Sequence, residues 1–205
     1  LYFMHNTLNP TMLMLLGLMS TIIGGWTGLN QTQTRKIMAF SSIAHMGWLL
    51  IAISTSQTLT TLTMLLYLIT TTAIFMTLSS TSTKTILDIG TTWTMSPTMM
   101  TATLITLMSL AGLPPLTGFM PKWLIIKELT TTNLTTLSMM LLMSTLPSLY
   151  FYTRLAYMTT TTTPPTTTLE KLKWRFHTKL SYTMTSTTAL AWMMLPMTST
   201  LYLTT

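Results

Sequence analysis

Long stretches without charged residues alternate with short polar or basic segments along this 205-residue chain. A helix needs about 20 largely apolar residues to cross a hydrocarbon layer roughly 30 Å thick. Each uncharged stretch can therefore be tested for the number of such helices that it holds. Six spans fit, and they run approximately over Pro10–Leu29, Ile37–Ser54, Leu59–Leu78, Ile89–Pro121, Leu129–Thr153 and Leu180–Thr205.

The composition supports a membrane protein with all-α architecture. Only 6% of the residues are charged and the mean hydropathy is +0.52, whereas soluble domains carry about 25% charged residues. Open sheets do not occur in lipid, and the period-two alternation of membrane barrel strands is missing from the sequence. The many threonines do not argue against helices, because a threonine hydroxyl can donate to the carbonyl one turn back.

Basic residues divide unequally between the two sides of the predicted membrane. The loops after spans one, three and five hold eight, namely Arg35, Lys36, Lys84, Arg154, Lys171, Lys173, Arg175 and Lys179. The loops after spans two and four hold only Lys127. Since loops rich in lysine and arginine stay on the cytoplasmic or matrix side, the first set is predicted to face that side.

The fourth predicted span contains five residues that interrupt helices: Gly112, Pro114, Pro115, Gly118 and Pro121. Each proline removes an intrahelical hydrogen bond, and the freed carbonyl is tolerated at membrane depth only beside protein or water. Discontinuous helices of this kind build ion sites in transporters. The alternative is a span that ends at Gly112 and is followed by an ordinary loop.

Two ionisable residues are candidates for proton transfer. Lys122 follows the interrupted segment and precedes apolar residues, and His45 lies nine residues beyond Lys36 in an otherwise uncharged span. A lysine within the bilayer is costly and therefore suggests function, and unlike arginine it can release its proton. Histidine can relay protons near neutral pH. The alternatives are a lysine anchor at the span's end and a histidine that only bonds a neighbouring helix.

The sequence does not indicate cysteine chemistry, carboxylate-pair catalysis or nucleic-acid binding. The chain has no cysteine, which excludes disulfides, thiolate nucleophiles and iron–sulfur ligands. Its three acids, Asp88, Glu128 and Glu170, lie at span ends, so no carboxylate pair is predicted. No long basic run with aromatic residues explains the net charge of +7 as nucleic-acid binding. We therefore expect no cofactor, no metal and no nucleic-acid partner in this chain.

A Thr/Pro-rich linker over residues 159–168 separates the fifth span from the sixth. It offers no helix signal and is predicted to be a surface loop. Residues 169–179 then alternate apolar and basic side chains, which suits a segment at the lipid headgroups or simply a basic loop that fixes orientation.

Three segments closely resemble the antiporter-like membrane subunits of mitochondrial NADH:ubiquinone oxidoreductase, respiratory complex I. They are Gly28–Trp48, Gly112–Trp123 and Leu149–Leu155. The resemblance implies two inverted five-helix repeats, each with a broken fourth helix. Residues 1–158 then correspond to the second repeat, 159–179 to a matrix-side loop and 180–205 to a C-terminal helix. Since the first repeat is absent, we expect a C-terminal fragment.

The resemblance also implies a function and a location. Lys122 matches a channel lysine of the family, and His45 matches a histidine on its central hydrophilic axis. The expected function is proton translocation across the inner mitochondrial membrane, driven by NADH oxidation and ubiquinone reduction in other subunits. The expected partners are the other membrane-arm subunits and inner-membrane lipids. Two alternatives remain: a cation/proton antiporter subunit, or a different antiporter-like subunit of the same complex.

Overall fold

The computed structural model describes residues 9–81, 83–95, 97–114, 116–161, 182–183 and 185–192, with only the backbone at 91 and 93–95. The named elements of this part are all helices: α1 Pro10–Gly28, α2 Thr34–Thr55, α3 Gln57–Thr81, α4 Ile86–Met95, α5 Pro97–Ala111, α6 Phe119–Thr131 and α7 Thr135–Thr161. Residues 182–183 and 185–192 are also helical. The predicted all-α class is therefore confirmed.

Three of the described helices, α1, α2 and α3, are long and apolar enough to cross a membrane. They have 19, 22 and 25 residues, which meets the length that a bilayer requires. The α5 helix is apolar but shorter. The multi-pass character predicted from the sequence is thus supported, whereas the count of six spans is not established.

Close backbone contact holds α1 against α2. A β-carbon added at Gly24 would lie 2.6 Å from the Ala44 nitrogen, and one at Gly47 would lie 2.6 Å from the Gly17 carbonyl oxygen. Neither space admits a side chain, so glycine allows the two helices to approach at these points. The opposite face of α1 remains apolar and exposed, as Trp26 at 70% exposure illustrates.

Threonine hydroxyls in the helices bond to backbone, as expected for a membrane interior. Thr70 donates from Oγ1 to the Leu66 carbonyl at 2.9 Å, and Thr106 donates to the Ala102 carbonyl at 2.9 Å. Both side chains are buried. A buried hydroxyl that has such a partner avoids most of the cost of leaving water.

The C-terminal ends of helices α1, α3 and α7 lie together on one side of the molecule. The Thr34 amide donates to the Lys84 carbonyl at 3.1 Å. Arg154 of α7 donates from Nη1 to the Leu29 carbonyl at 2.8 Å. The loops after predicted spans one and three and the basic end of the fifth therefore lie together, which agrees with alternating spans.

Several predicted boundaries are wrong. The stretch predicted as the fourth span, Ile89–Pro121, contains most of α4, all of α5 and the first residues of α6. The following long helix begins at Thr135 and not at Leu129. That helix continues to Thr161, although a helix-free linker is predicted from residue 159. The rest of the linker and the basic segment, residues 162–181, lie outside the described residues.

Candidate functional site

The α5 helix ends in a turn that leaves backbone oxygens without helical donors. Gly112 adopts φ +87°, its amide donates to the Ser109 carbonyl at 3.0 Å, and the Leu113 amide donates to Met108 at 3.5 Å. This pair of bonds is a Schellman motif, in which glycine accepts the left-handed backbone most easily. The helix cannot continue past this turn, because Pro114 and Pro115 have no backbone N–H group to donate.

Lys122 contacts the carbonyl that this turn leaves free. It lies in the first turns of α6, is half-buried, and donates from Nζ to the Ala111 carbonyl at 3.0 Å. A β-carbon at Gly112 would lie 2.9 Å from that Nζ atom. The ammonium therefore faces the protein at the end of α5, and the absence of a side chain at Gly112 makes room for it.

The remaining residues of the predicted interruption have different roles. Gly118 lies so close to the Ser109 carbonyl that a β-carbon there would overlap it. The hydroxyl oxygens of Ser109 and Thr117 lie 2.7 Å apart, and this hydrogen bond joins the end of α5 to the segment before α6. Pro121 lies inside α6, in a first turn whose N–H groups need no helical partner. The fifth residue, Pro115, lies outside the described residues.

His45 lies on α2 and faces α3 and α6. Its ring centroid is 5.2 Å from that of Tyr67 on α3, with the planes inclined by 37°. The side chain is half-buried, and it lines the same cavities as Lys122. The structure thus brings together the two predicted proton-transfer residues, which are 77 positions apart in the sequence (122 − 45).

Two internal cavities share four lining residues: His45, Trp48, Leu110 and Lys122. The larger cavity has a volume of about 40 Å³ and extends to the polar side chains of Thr63, Tyr67 and Thr70. The smaller has about 10 Å³ and extends to Ser41, Ser148 and Tyr152. At about 10–15 Å³ per water molecule, the larger volume accepts roughly three waters and the smaller roughly one.

The cavities carry hydroxyl and basic groups without an acid. No carboxylate belongs to the described lining of either one. Lys122 and His45 are the charged or chargeable nitrogen groups there, and threonine, serine and tyrosine hydroxyls surround them. Such groups both donate and accept hydrogen bonds, so they can align water between the two nitrogens.

Sequence reasoning did not identify the two tyrosines of these cavities as functional. Tyr67 stacks on His45, and Tyr152 is 1% exposed with a hydroxyl that has no hydrogen-bond partner within the described residues. A signal existed for Tyr152, because it lies in the Leu149–Leu155 segment that carries the family resemblance. Tyr67 had none, since its contact depends on how α2 and α3 pack.

Metal binding receives no support from the described residues. They contain no group of three or more histidine, cysteine, aspartate or glutamate side chains that could hold a metal ion. The whole sequence contains no cysteine.

Two known protein families match this chain. Residues 1–148 match the family described as NADH:quinone oxidoreductase/Mrp antiporter, TM, and residues 149–202 match NADH dehydrogenase subunit 2 C-terminus. The chain belongs to this membrane family. The resemblance seen in the sequence is therefore confirmed, and the chain is a multi-pass protein of the inner mitochondrial membrane.

Curated relatives agree with this assignment. NADH-ubiquinone oxidoreductase chain 2 of Tetraodon nigroviridis is 49% identical over 191 residues, which cover 93% of this chain and 55% of that protein. The protein of the same name from Gallus gallus is 46% identical, with coverages of 93% and 55%. The chain thus spans about half the length of these relatives.

Solved structures share the fold. A chain of respiratory complex I from Thermus thermophilus, solved with bound aureothin, aligns with TM-score 0.66 at 28% identity and covers 74% of this chain and 36% of that one. A chain of the Mrp complex from Dietzia aligns with TM-score 0.65 at 18% identity, with coverages of 75% and 30%. The second likeness concerns fold alone.

Proposed function

We propose that this chain forms part of a proton-translocating subunit in the membrane arm of NADH:ubiquinone oxidoreductase. On this proposal NADH oxidation and ubiquinone reduction take place in other subunits of the complex, and the role of this chain requires no cofactor of its own. The single observation that carries the proposal is Lys122, whose ammonium contacts a freed helix-end carbonyl and shares two cavities with His45.

The proposed carriers are Lys122 and His45, with water in the larger cavity between them. Either nitrogen can hold a proton, and a few aligned waters are enough to pass one across the cavity. Moving one charge across the membrane costs about 2.3 kcal/mol per 100 mV. Translocation against the potential therefore requires energy from the redox reaction elsewhere in the complex.

The interruption between α5 and α6 supports one discontinuous span. We propose that the predicted fourth span, Ile89–Pro121, is this discontinuous span, with 112–118 as its broken segment and Lys122, directly after it, at membrane depth. The basic side is proposed to face the matrix. On this proposal residues 1–161 form one five-span repeat that ends with α7, 162–179 a matrix-side loop, and 180–205 a sixth span.

The test is substitution of Lys122 in the assembled complex, reconstituted into sealed vesicles. Lys122→Met removes the charge and the proton together, whereas Lys122→Arg keeps a charge that cannot be released. We expect both variants to reduce NADH-driven proton uptake, with arginine failing to restore it. His45→Ala should slow the same uptake while the complex stays assembled.

A matched control is available on the same helix. Lys127 is exposed and its Nζ lies 6.0 Å from the Trp123 ring centroid, outside both cavities. Lys127→Met therefore removes one lysine from α6 without touching the site and should leave proton uptake unchanged. Wild-type uptake in Lys122→Met would reduce Lys122 to a structural anchor and refute the proposal.

A cation/proton antiporter subunit is the second candidate, because the matching family includes Mrp antiporters. The two functions differ in their driving force. A sodium gradient applied without NADH should move protons if the chain serves an antiporter, and should move none if the redox-driven proposal is correct.

A further inference from the structure

A separate pocket lies on the basic side of the molecule, between the start of α2 and the end of α3. Its volume is about 540 Å³. Its lining combines two basic, three hydroxyl-bearing and three apolar residues, which are Arg35, Lys84, Thr34, Ser79, Thr83, Met38, Phe75 and Leu78. None of them lines the cavities around Lys122 and His45.

Backbone hydrogen bonds fix the two basic residues relative to one another. The Thr34 amide and its Oγ1 atom both donate to the Lys84 carbonyl, each at 3.1 Å, and Oγ1 also lies 3.2 Å from the Thr83 carbonyl. Thr34 is 3% exposed. Arg35 follows it directly, so both cationic side chains extend from a buried, bonded junction.

The pocket contains a polar group that the protein leaves unsatisfied. Thr83 is 9% exposed, and its buried Oγ1 has no hydrogen-bond partner in the part of the chain that the structure describes. Because that oxygen is buried, an anion in the pocket would contact the exposed Arg35 and Lys84 side chains and not this hydroxyl.

The cationic charges of the pocket are not neutralised by its own lining. No acid belongs to the described lining. The Asp88 carboxylate accepts from the Lys84 and Thr85 amides at 3.0 and 2.8 Å, so it caps the start of α4. Attraction to Lys84 is the smallest of the influences that lower the pKa of Asp88, so both basic side chains can still bind an anion.

The apolar residues extend from the basic end toward the membrane interior. Phe75 lies six residues before the end of α3 at Thr81, or roughly 9 Å deeper along the helix at 1.5 Å per residue. It is 55% exposed. An anion site at the surface therefore continues into an apolar strip, and this combination matches a molecule with a charged head and a hydrocarbon chain.

We propose that this pocket binds an anionic phospholipid. Its phosphate oxygens contact Arg35 and Lys84, while one acyl chain lies along Leu78 and Phe75. A zwitterionic headgroup fits less well, because its ammonium would add a third positive charge beside the two cations. The proposal is independent of proton translocation, since it uses no residue of that site.

The experiment uses the assembled membrane complex in phosphatidylcholine vesicles that contain a phosphatidylglycerol with a diazirine on its acyl chain. After illumination, labelled peptides are identified by mass spectrometry. We expect adducts on residues 75–78 of α3. Labelling should fall about fivefold for each cation removed in Arg35→Gln and Lys84→Gln, because each basic residue near an anionic lipid contributes about that factor.

Three controls separate this site from general attraction to the membrane. Lys36→Gln removes an exposed basic residue next to Arg35 that does not line the pocket, and it should leave labelling unchanged. Lys84→Arg keeps the charge and should retain labelling. A diazirine phosphatidylcholine should label the same residues more weakly.

Three outcomes would overturn the proposal. An equal loss of labelling in Lys36→Gln and Arg35→Gln would show that the lipid is attracted to the basic surface in general and not to this pocket. No labelling of wild-type α3 would show that a neighbouring subunit covers the pocket. Displacement of the lipid by inorganic phosphate would show a site for a free anion, to which the acyl chain adds nothing.

Discussion

Gly112→Ala is expected to disturb the contact on which the site depends. Gly112 has φ +87°, and a β-carbon there would lie 2.9 Å from Lys122 Nζ. A left-handed conformation costs a residue with a β-carbon roughly 1–2 kcal/mol. The lysine must also move away from the Ala111 carbonyl, to which it donates at 3.0 Å. A hydrogen bond from a charged group contributes about 1.5–3 kcal/mol.

The measurement is the midpoint of thermal inactivation of the assembled complex, together with protons taken up per NADH oxidised. The backbone strain alone, roughly 1–2 kcal/mol, should lower this midpoint relative to the wild type. Gly112→Asn separates the two causes, because asparagine tolerates the left-handed region but still carries a β-carbon. It should recover stability without recovering proton uptake.

Gly25→Ala is the control, since this glycine lies inside α1 without a positive φ. A β-carbon there meets its nearest atom, the Ser144 carbonyl oxygen, at 3.3 Å, which a small shift accommodates. Alanine favours a helix over glycine by about 0.5–1 kcal/mol, so we expect little net change. The reasoning is refuted if Gly112→Ala behaves like Gly25→Ala in both measurements.

Three further predictions concern other residues. Tyr152→Phe removes the unpartnered buried hydroxyl, and proton uptake should slow without loss of assembly if that oxygen holds a water; unchanged uptake would contradict this. Backbone N–H groups that donate to Asp88 hold the pKa of its carboxyl below its usual range. The ionised carboxylate therefore stabilises the start of α4 at pH values above the pKa of Asp88 in the unfolded chain, and this stabilisation is lost as the pH falls through the pKa of Asp88 in the folded protein. Protection of the α4 amides against hydrogen exchange, corrected for the intrinsic exchange rate at each pH, should decrease below about pH 4 in wild type and show no such decrease in Asp88→Asn. Cysteines at the exposed positions Lys36 and Gln57 should react with an impermeant thiol reagent from opposite sides of the membrane, and reaction from one side would refute the alternating spans.

The sequence alone determined that this chain is a multi-pass membrane protein. With 6% charged residues, the chain cannot build a soluble surface, and the lengths of its uncharged stretches suit membrane helices. It also determined where α5 must stop, because Pro114 and Pro115 carry no N–H and Gly112 favours the left-handed turn. These features are local properties of residue types, so they can be read without knowing the fold.

Boundaries between helices were less well determined. The end of α6 is a second Schellman motif, with Asn133 at φ 62° and the Leu134 amide donating to the Leu129 carbonyl at 3.0 Å. The sequence shows no glycine or proline there, and the predicted span began too early because Leu129 is the first residue after the charged Glu128. Asparagine adopts the left-handed conformation less readily than glycine, and its presence alone is a weak signal.

Only the tertiary structure decided which groups meet. His45 and Lys122 were identified separately as candidates, but their shared cavities arise from how α2, α3 and α6 pack. The same packing places Tyr67 against His45 and leaves the Tyr152 hydroxyl in the smaller cavity. Hydrophobic periodicity fixes which residues can be helical, whereas contacts between helices depend on side-chain shape and on the glycines that allow close approach.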